Sequence, residues 1–169
     1  MCDAPSFLPP MLNLNGTWEE ILDRLYSVFS RDFKQTTTYH NGLRVFYNRT
    51  IKSDGSGKEE GFWHVVSKEV RNTSERDFDH SRAKRLPWAK PLIETTGSED
   101  VKIWQYDEGT RDKGVRTYIW LEDFNYALIL VKKREIFYWI TAFYVESWKR
   151  RDLRRKYEDR VHNNSSDRS

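Results

Sequence analysis

Cysteine is nearly absent from this chain of 169 residues, and its one cysteine is Cys2. A single thiol excludes a disulfide framework within the chain and a metal site built from several cysteines. The apolar stretch Ile136–Val145 has only ten residues, which is too short for a transmembrane helix. No lysine or arginine precedes an apolar segment at the N-terminus, so no signal peptide is expected. These absences predict a soluble cytoplasmic protein.

The familiar motifs of nucleotide and metal chemistry are also missing. The sequence contains no GxxxxGK[ST], GxGxxG, GxSxG or HExxH pattern. The four histidines fall in different predicted elements: His40, His64, His80 and His162. We therefore expect no cofactor and no catalytic metal.

Aromatic and charged residues are abundant instead, at 15% and 33% of the chain, with a net charge of +3. The basic residues cluster in Arg76–Lys90, 132–134 and Lys149–Arg160. Such clusters attract phosphate backbones without regard to sequence, although solvated faces or a frayed basic tail would look the same. The residues predicted to bind RNA are Lys132, Lys133, Lys149, Arg150 and Arg151.

Apolar spacing divides the chain into one domain with two tails. Residues 1–12 contain three prolines and are predicted to form a disordered or loosely draped arm. Residues 13–161 form the predicted domain, and residues 162–169 a disordered tail. The domain begins with a helix over Thr17–Phe33, because apolar residues recur there at helical spacing and Thr17 with Glu20 forms a capping box.

The rest of the domain alternates between strand and helix patterns. Two strands are predicted at Leu43–Thr50 and Phe62–Ser67, followed by a loop over Asn72–Asp79. A helix follows over Asp79–Glu94, and Pro87 opens its second piece. Later strands are predicted at Val101–Tyr106, Val115–Glu122, Tyr126–Lys132 and Ile136–Val145, before a helix over Glu146–Val161. This order favours an α+β fold with helices on one mostly antiparallel sheet, whose open, aromatic and partly basic face would suit a single-stranded nucleic acid.

His64 stands out because it lies mid-strand in the predicted Phe62–Ser67 element, between Trp63 and Val65. Histidine is the side chain best suited to exchange protons near neutral pH. The alternative is a structural histidine that is hydrogen-bonded inside the fold.

Arg82 and Arg85 are three residues apart on the predicted helix and therefore share a face. Two guanidinium groups on one face can hold a phosphate. The alternative is a pair of surface salt bridges to Asp79 or Glu75.

The last predicted strand carries one small hydroxyl, that of Thr141. Strict alternation places Thr141 on one face with Phe137, Trp139 and Phe143, and Tyr144 on the other. Thr141 and Tyr144 would then share a site only if the strand bulges or bends. Thr141 is also explained simply as a β-branched strand former.

Five short motifs occur in a distinctive order: FWHVVS, RAKRLPW, KIWQY, YWITAFYV and SWKRR. This order resembles the phage-associated branch of the barnase–EndoU–colicin–RelE superfamily (BECR fold) of metal-independent ribonucleases, over most of Thr17–Tyr157. The resemblance implies helices on a central antiparallel sheet of four to five strands. It also implies that the catalytic residues are His64, Arg82, Arg85 and Thr141, with Tyr144 as a weaker candidate. Residues from Lys149 onward would contact the RNA backbone. It gives Trp88 no chemical role, and packing of the helix onto the sheet explains that residue better.

The activity implied by the resemblance is RNA cleavage by attack of a 2′-OH on the adjacent phosphate. His64 would serve as base or acid, the arginines would stabilise the phosphoryl charge, and Thr141 would position the phosphate. The implied role is a toxin or phage-conflict effector that acts on RNA such as tRNA or mRNA and is blocked by an antitoxin or immunity protein. The alternative is a non-catalytic RNA-binding or partner-binding module on the same fold.

Overall fold

The computed structural model describes residues 3–161. Along this part of the chain the helices are α1 (Trp18–Phe29), α2 (Glu60–Val66), α3 (His80–Ala83), α4 (Ala89–Glu94) and α5 (Ser147–Glu158). The strands are β1 (Tyr39–His40), β2 (Leu43–Phe46), β3 (Ser67–Glu69), β4 (Arg76–Phe78), β5 (Lys102–Asp107), β6 (Val115–Leu121), β7 (Tyr126–Lys133) and β8 (Ile136–Tyr144). The α+β prediction is confirmed.

The first helix begins where the capping box predicts. The Thr17 hydroxyl accepts a hydrogen bond from the Glu20 amide, and the Glu20 carboxylate accepts one from the Thr17 amide. The apolar stripe of α1 is buried, and the helix continues into a π-helical turn over Ser30–Gln35. A predicted helix over Thr17–Phe33 is thus confirmed within a few residues.

Six strands form one sheet in the order β1-β2-β8-β7-β6-β5. All neighbours are antiparallel except β2 and β8, which run parallel. The sheet is strongly curled, because His40 of β1 and Ile103 of β5, at opposite edges, line the same cavity. This sheet has one or two more strands than the four to five that the family resemblance implies.

The sheet separates two apolar clusters. The larger cluster packs α1, α2 and α4 against alternate residues of the strands, including Ile119, Leu128 and Ala142. The smaller one lies on the opposite face, where Trp104 and Trp120 pack beneath Leu153 of α5. Helix α5 covers only part of this second face, so the portion over β7 and β8 is partly open. The predicted open face is therefore confirmed over that portion alone.

The predicted helix over Asp79–Glu94 is broken into three pieces. Helix α3 ends at Ala83, a 3₁₀ turn spans Leu86–Trp88, and α4 follows. Pro87 lies at the start of the 3₁₀ turn, as predicted for a proline that opens a new helical piece. A proline has no amide hydrogen and clashes with the preceding turn, so a continuous helix cannot pass through this position.

The N-terminal arm is draped over the main core. The amide of Leu12 donates to the carbonyl of Lys84 at 2.8 Å, and the indole of Trp88 donates to the carbonyl of Pro9 at 2.7 Å. Leu8 and Leu12 pack against the main cluster. The predicted tail, residues 162–169, lies outside the described residues. No helix within residues 3–161 combines the length and apolar character needed to cross a membrane.

His40 predicts an acid-dependent loss of stability. Its side chain is 1% exposed, Nδ1 lies 2.7 Å from the Ile93 carbonyl, and Nε2 has no hydrogen-bond partner. Burial lowers the pKa of His40 below its ordinary value of 6.5. The unfolded chain therefore takes up a proton at a higher pH than the folded chain, so stability is complete above 6.5 and falls as the pH drops below it.

Urea unfolding at about pH 7.5 and about pH 5 measures this effect. We expect the drop in free energy of unfolding to be smaller in His40→Gln than in the wild type. The exposed His80 is the matched control, and His80→Gln should leave the drop unchanged. An equal drop in all three proteins would show that His40 contributes nothing to it.

Candidate functional site

Helix α2 lies along the part of β8 that β2 does not reach. Strand β2 pairs with β8 only at Phe137 and Tyr138. Beyond that point the Thr141 hydroxyl donates to the backbone carbonyl of His64 at 3.2 Å. A depression of about 680 Å³ opens here between β8, α2, the β3–β4 hairpin and α3. We call it the His64 depression; it is lined by Asn48, His64, Lys68, Glu69, Arg76, Arg82, Lys133, Tyr138, Trp139, Ile140 and Thr141.

His64 lies on a helix, and the predicted strand over Phe62–Ser67 is wrong. Phe62, Val65 and Val66 are buried together at helical spacing, and this burial outweighs the β-propensity of the individual residues. Gly61 permits the close approach of α2 to the chain after β2, where its amide donates to the Asn48 carbonyl at 2.9 Å.

The helix also fixes the tautomer of the neutral His64 ring. Nδ1 lies 2.7 Å from the carbonyl oxygen of Glu60. A carbonyl can only accept, so Nδ1 carries a proton, and in the neutral ring Nε2 then has the lone pair. Burial, followed by the positive charge of Arg76, lowers the pKa of His64. The half-buried ring is therefore neutral at physiological pH and has the form required of a general base.

Arg82 joins α3 to the end of α2. The Asp79 side chain caps α3 by accepting from the Arg82 amide at 3.0 Å. Nη1 of Arg82 donates to the carbonyls of His64 and Ser67, at 2.9 and 2.7 Å. Its Nε lies 3.8 Å from Asp79, so the alternative of an ion pair with Asp79 is partly correct. A guanidinium has five N–H donors; the Nε donor of Arg82 is buried, so of the donors outside Nη1 only the two of Nη2 are left for a ligand.

Arg76 is a functional candidate that the sequence analysis missed. Residues 72–79 were predicted to be a loop, but Arg76–Phe78 pairs with Ser67–Glu69 as a hairpin. The Arg76 guanidinium donates to the hydroxyl and carbonyl of Ser67, at 2.8 and 2.7 Å, and lies 3.5 Å from Glu69. The sequence shows that Arg76 belongs to a basic cluster. Its orientation toward His64 depends on the pairing of β4 with β3, which the sequence does not show.

Arg85 does not line the His64 depression. Helix α3 ends at Ala83, so Arg82 and Arg85 are not on one regular helix and the prediction of a shared face is wrong. The Arg85 side chain is buried, donates to the Ser81 carbonyl at 2.6 Å, and lies 4.8 Å from the centroid of the Tyr144 ring. Its contacts are those of a packed structural arginine.

A β-bulge re-aims Thr141. Strand β7 pairs Ile129 with Thr141 but Leu130 with Trp139, so Ile140 is an extra residue. Thr141 consequently leaves the face of Phe137 and Trp139, which belong to the main core, and the predicted grouping of these residues is wrong. The Thr141 hydroxyl donates to the His64 carbonyl and so positions α2. The hydrogen bond predicted for this hydroxyl was instead one to a phosphate.

A second depression of about 570 Å³ continues from the first. The two share Lys68, Glu69, Arg82 and Thr141. We call it the α5 depression, because it extends to the start of that helix and is also lined by Asp79, Lys113, Tyr118, Ile129, Phe143, Tyr144, Glu146, Trp148, Lys149, Leu153 and Lys156. Thr141 and Tyr144 both line this depression, although the bulge at Ile140 precedes both and leaves their alternation unchanged; Tyr144 is the last residue of β8.

The five lysines and arginines predicted to bind RNA are split by the fold. Lys133 borders the His64 depression and Lys149 the α5 depression, while Lys132 is exposed at the end of β7. Arg150 donates to the Glu122 carbonyl at 2.9 Å and lines neither depression. Arg151 is exposed and also lines neither.

Comparisons with protein-family models, curated proteins and solved structures found no match for this chain. Among residues 3–161, no group of three or more histidine, cysteine or carboxylate side chains is placed to hold a metal ion. The chemistry must therefore be argued from the residues that line the two depressions.

Proposed function

We propose that this protein is a metal-independent endoribonuclease that cleaves RNA by attack of a 2′-OH on the adjacent phosphate. One observation carries the proposal: the His64 ring, whose Nδ1 is bonded to the Glu60 carbonyl, lines the same depression of about 680 Å³ as the guanidinium groups of Arg76 and Arg82. The order of short motifs in the sequence, which resembles the BECR-fold ribonucleases, supports the same activity.

The proposed mechanism gives each group one role. Nε2 of His64 removes the proton from the 2′-OH, and the resulting oxygen attacks the phosphorus. Arg76 and Arg82 stabilise the negative charge that gathers on the phosphoryl oxygens. The depression is open to solvent, so water can protonate the 5′ oxygen as its bond to phosphorus breaks, and the hydroxide that this leaves takes the proton from His64. Thr141 positions His64 through the backbone carbonyl.

Incubation of RNA with the protein in excess EDTA tests the proposal. Cleavage should persist, and an all-DNA strand of the same sequence should stay intact because it has no 2′-OH. Absence of RNA cleavage under conditions in which the protein is folded would remove the ribonuclease proposal.

A non-catalytic RNA-binding module is the second candidate function, and the contacts of the arginines favour it. Arg76 and Arg82 each donate to backbone carbonyls and each lies near a carboxylate, an arrangement that needs no substrate. Salt-sensitive RNA binding without turnover would support this candidate.

We extend the proposal to the cellular role that the resemblance implies. An RNA-cleaving enzyme in the cytoplasm, acting on tRNA or mRNA, would be toxic unless a partner covers its site. Such an antitoxin or immunity protein would need to be acidic where it meets Lys68, Arg76 and Lys133. Induced expression of the wild type should therefore arrest growth, and His64→Gln should not.

A further inference from the structure

The α5 depression extends the open surface from His64 toward an exposed tryptophan. Its floor is apolar, because Ile129 and Phe143 lie on the second face of the sheet where α5 does not cover it. At its rim, Trp148 is 71% exposed, the most exposed large hydrophobic residue in 3–161. An indole that is this exposed contributes little to the stability of the fold, which favours a role in binding.

Trp148 is held in place although it is exposed. Its indole N–H donates to the Glu146 carboxylate at 3.0 Å, and Nζ of Lys149 lies 5.6 Å from the ring centroid. A fixed, solvent-facing aromatic ring with a cation beside it is the arrangement on which unpaired bases stack in proteins that bind single strands.

The charge around the depression suits a phosphate backbone. Five cations line it, Lys68, Lys113, Lys149, Lys156 and Arg82, against the three carboxylates of Glu69, Asp79 and Glu146. Lys156 is neutralised by Glu108 at 3.0 Å, whereas Lys68 and Lys113 form no ion pair among residues 3–161. These two unpaired cations can therefore bind phosphates along the apolar floor.

We propose that the α5 depression binds the single-stranded RNA segment that adjoins the cleaved phosphate, with one unpaired base stacked on Trp148. This inference rests on the proposed function, because it takes the His64 depression as the place of cleavage. A paired base is already stacked within its duplex, so only an unpaired base offers a free face to the indole. The substrate class is thus an unpaired strand, such as a loop, and not an RNA duplex.

The test compares two substrates: a single-stranded RNA of about ten nucleotides and the dinucleotide that contains its cleavage site. We expect Trp148→Ala to lower kcat/KM on the longer RNA by about 5- to 150-fold and to leave the dinucleotide unchanged. Trp148→Phe should restore most of the loss, because phenylalanine also stacks. Tyr39→Ala, which removes an exposed aromatic ring that lines neither depression, is the matched control and should match the wild type on both substrates.

Binding of a 2′-O-methyl RNA, which cannot be cleaved, separates this inference from the proposed function. Weaker binding by Trp148→Ala supports the inference even if the wild type cleaves nothing, in which case the proposed function alone fails. Equal kcat/KM of the wild type and Trp148→Ala on the longer RNA overturns the inference and leaves the ribonuclease intact. Equally tight, Trp148-dependent binding of a duplex also overturns it.

Discussion

His64→Gln is expected to lower the rate of RNA cleavage by about 10²–10⁴-fold. Glutamine can keep the contact with the Glu60 carbonyl that His64 makes through Nδ1, but it has no basic nitrogen. The 2′-OH then loses its proton only to water. Initial rates on one RNA substrate, with wild type and variant at equal concentration, measure the loss.

The pH dependence of kcat/KM gives the same prediction a second readout. Burial and Arg76 lower the pKa of His64 below its ordinary value of 6.5, and a base acts only when it is unprotonated. The rate of the wild type should therefore rise with pH, with its inflection below 6.5, and then level off. In His64→Gln this inflection should disappear.

His80 provides the matched control for this substitution. It is exposed on α3 and lines neither depression, so His80→Gln should cleave at the wild-type rate. If His64→Gln cleaves as fast as His80→Gln, then His64 is not the base and the proposed mechanism is wrong.

Trp88→Ala is expected to destabilise the fold by about 3–5 kcal/mol. The side chain is 1% exposed and packs edge-on against Phe124 and Tyr126, with ring centroids 5.9 and 6.3 Å away. Its indole also donates to the Pro9 carbonyl at 2.7 Å. Truncation leaves a cavity in the core and removes the bond that ties down the N-terminal arm, a large loss for a domain stabilised by about 5–15 kcal/mol.

Urea unfolding of three variants separates these contributions. Trp88→Phe keeps most of the apolar contact and loses the bond to Pro9, so it should be destabilised less than Trp88→Ala. Trp148→Ala removes an exposed indole and should stay within about 0.5 kcal/mol of the wild type. A loss below about 1 kcal/mol in Trp88→Ala would show that the core closes around the missing ring.

Local patterns were sufficient for about half of the fold. The capping box of Thr17 and Glu20, the strands β6 and β7, and the basic helix α5 were predicted correctly. Each of these elements is specified by residues close together in sequence. The prediction that Trp88 packs the helical segment onto the sheet is also confirmed by its burial.

The errors fall where distant residues decide the structure. Phe62–Ser67 has strand propensity, but its burial against α1 and β8 makes it a helix and turns His64 into a helical residue. The bulge at Ile140 depends on pairing with β7, and the hairpin that orients Arg76 depends on Ser67. The geometry around His64 therefore could not be read from spacing: of the predicted set, His64, Arg82 and Thr141 line one depression, and Arg85 does not.

The chemistry of the cleaved ends tests the central claim most directly. The substrate is a DNA strand with a single ribonucleotide at the cleavage site, incubated with the protein in excess EDTA and examined by mass spectrometry. Attack by the 2′-OH predicts a cut only after the ribonucleotide, leaving a 2′,3′-cyclic phosphate and a 5′-hydroxyl. Cleavage that leaves a 3′-hydroxyl and a 5′-phosphate would contradict the account. So would a result in which both this strand and an all-RNA strand stay intact.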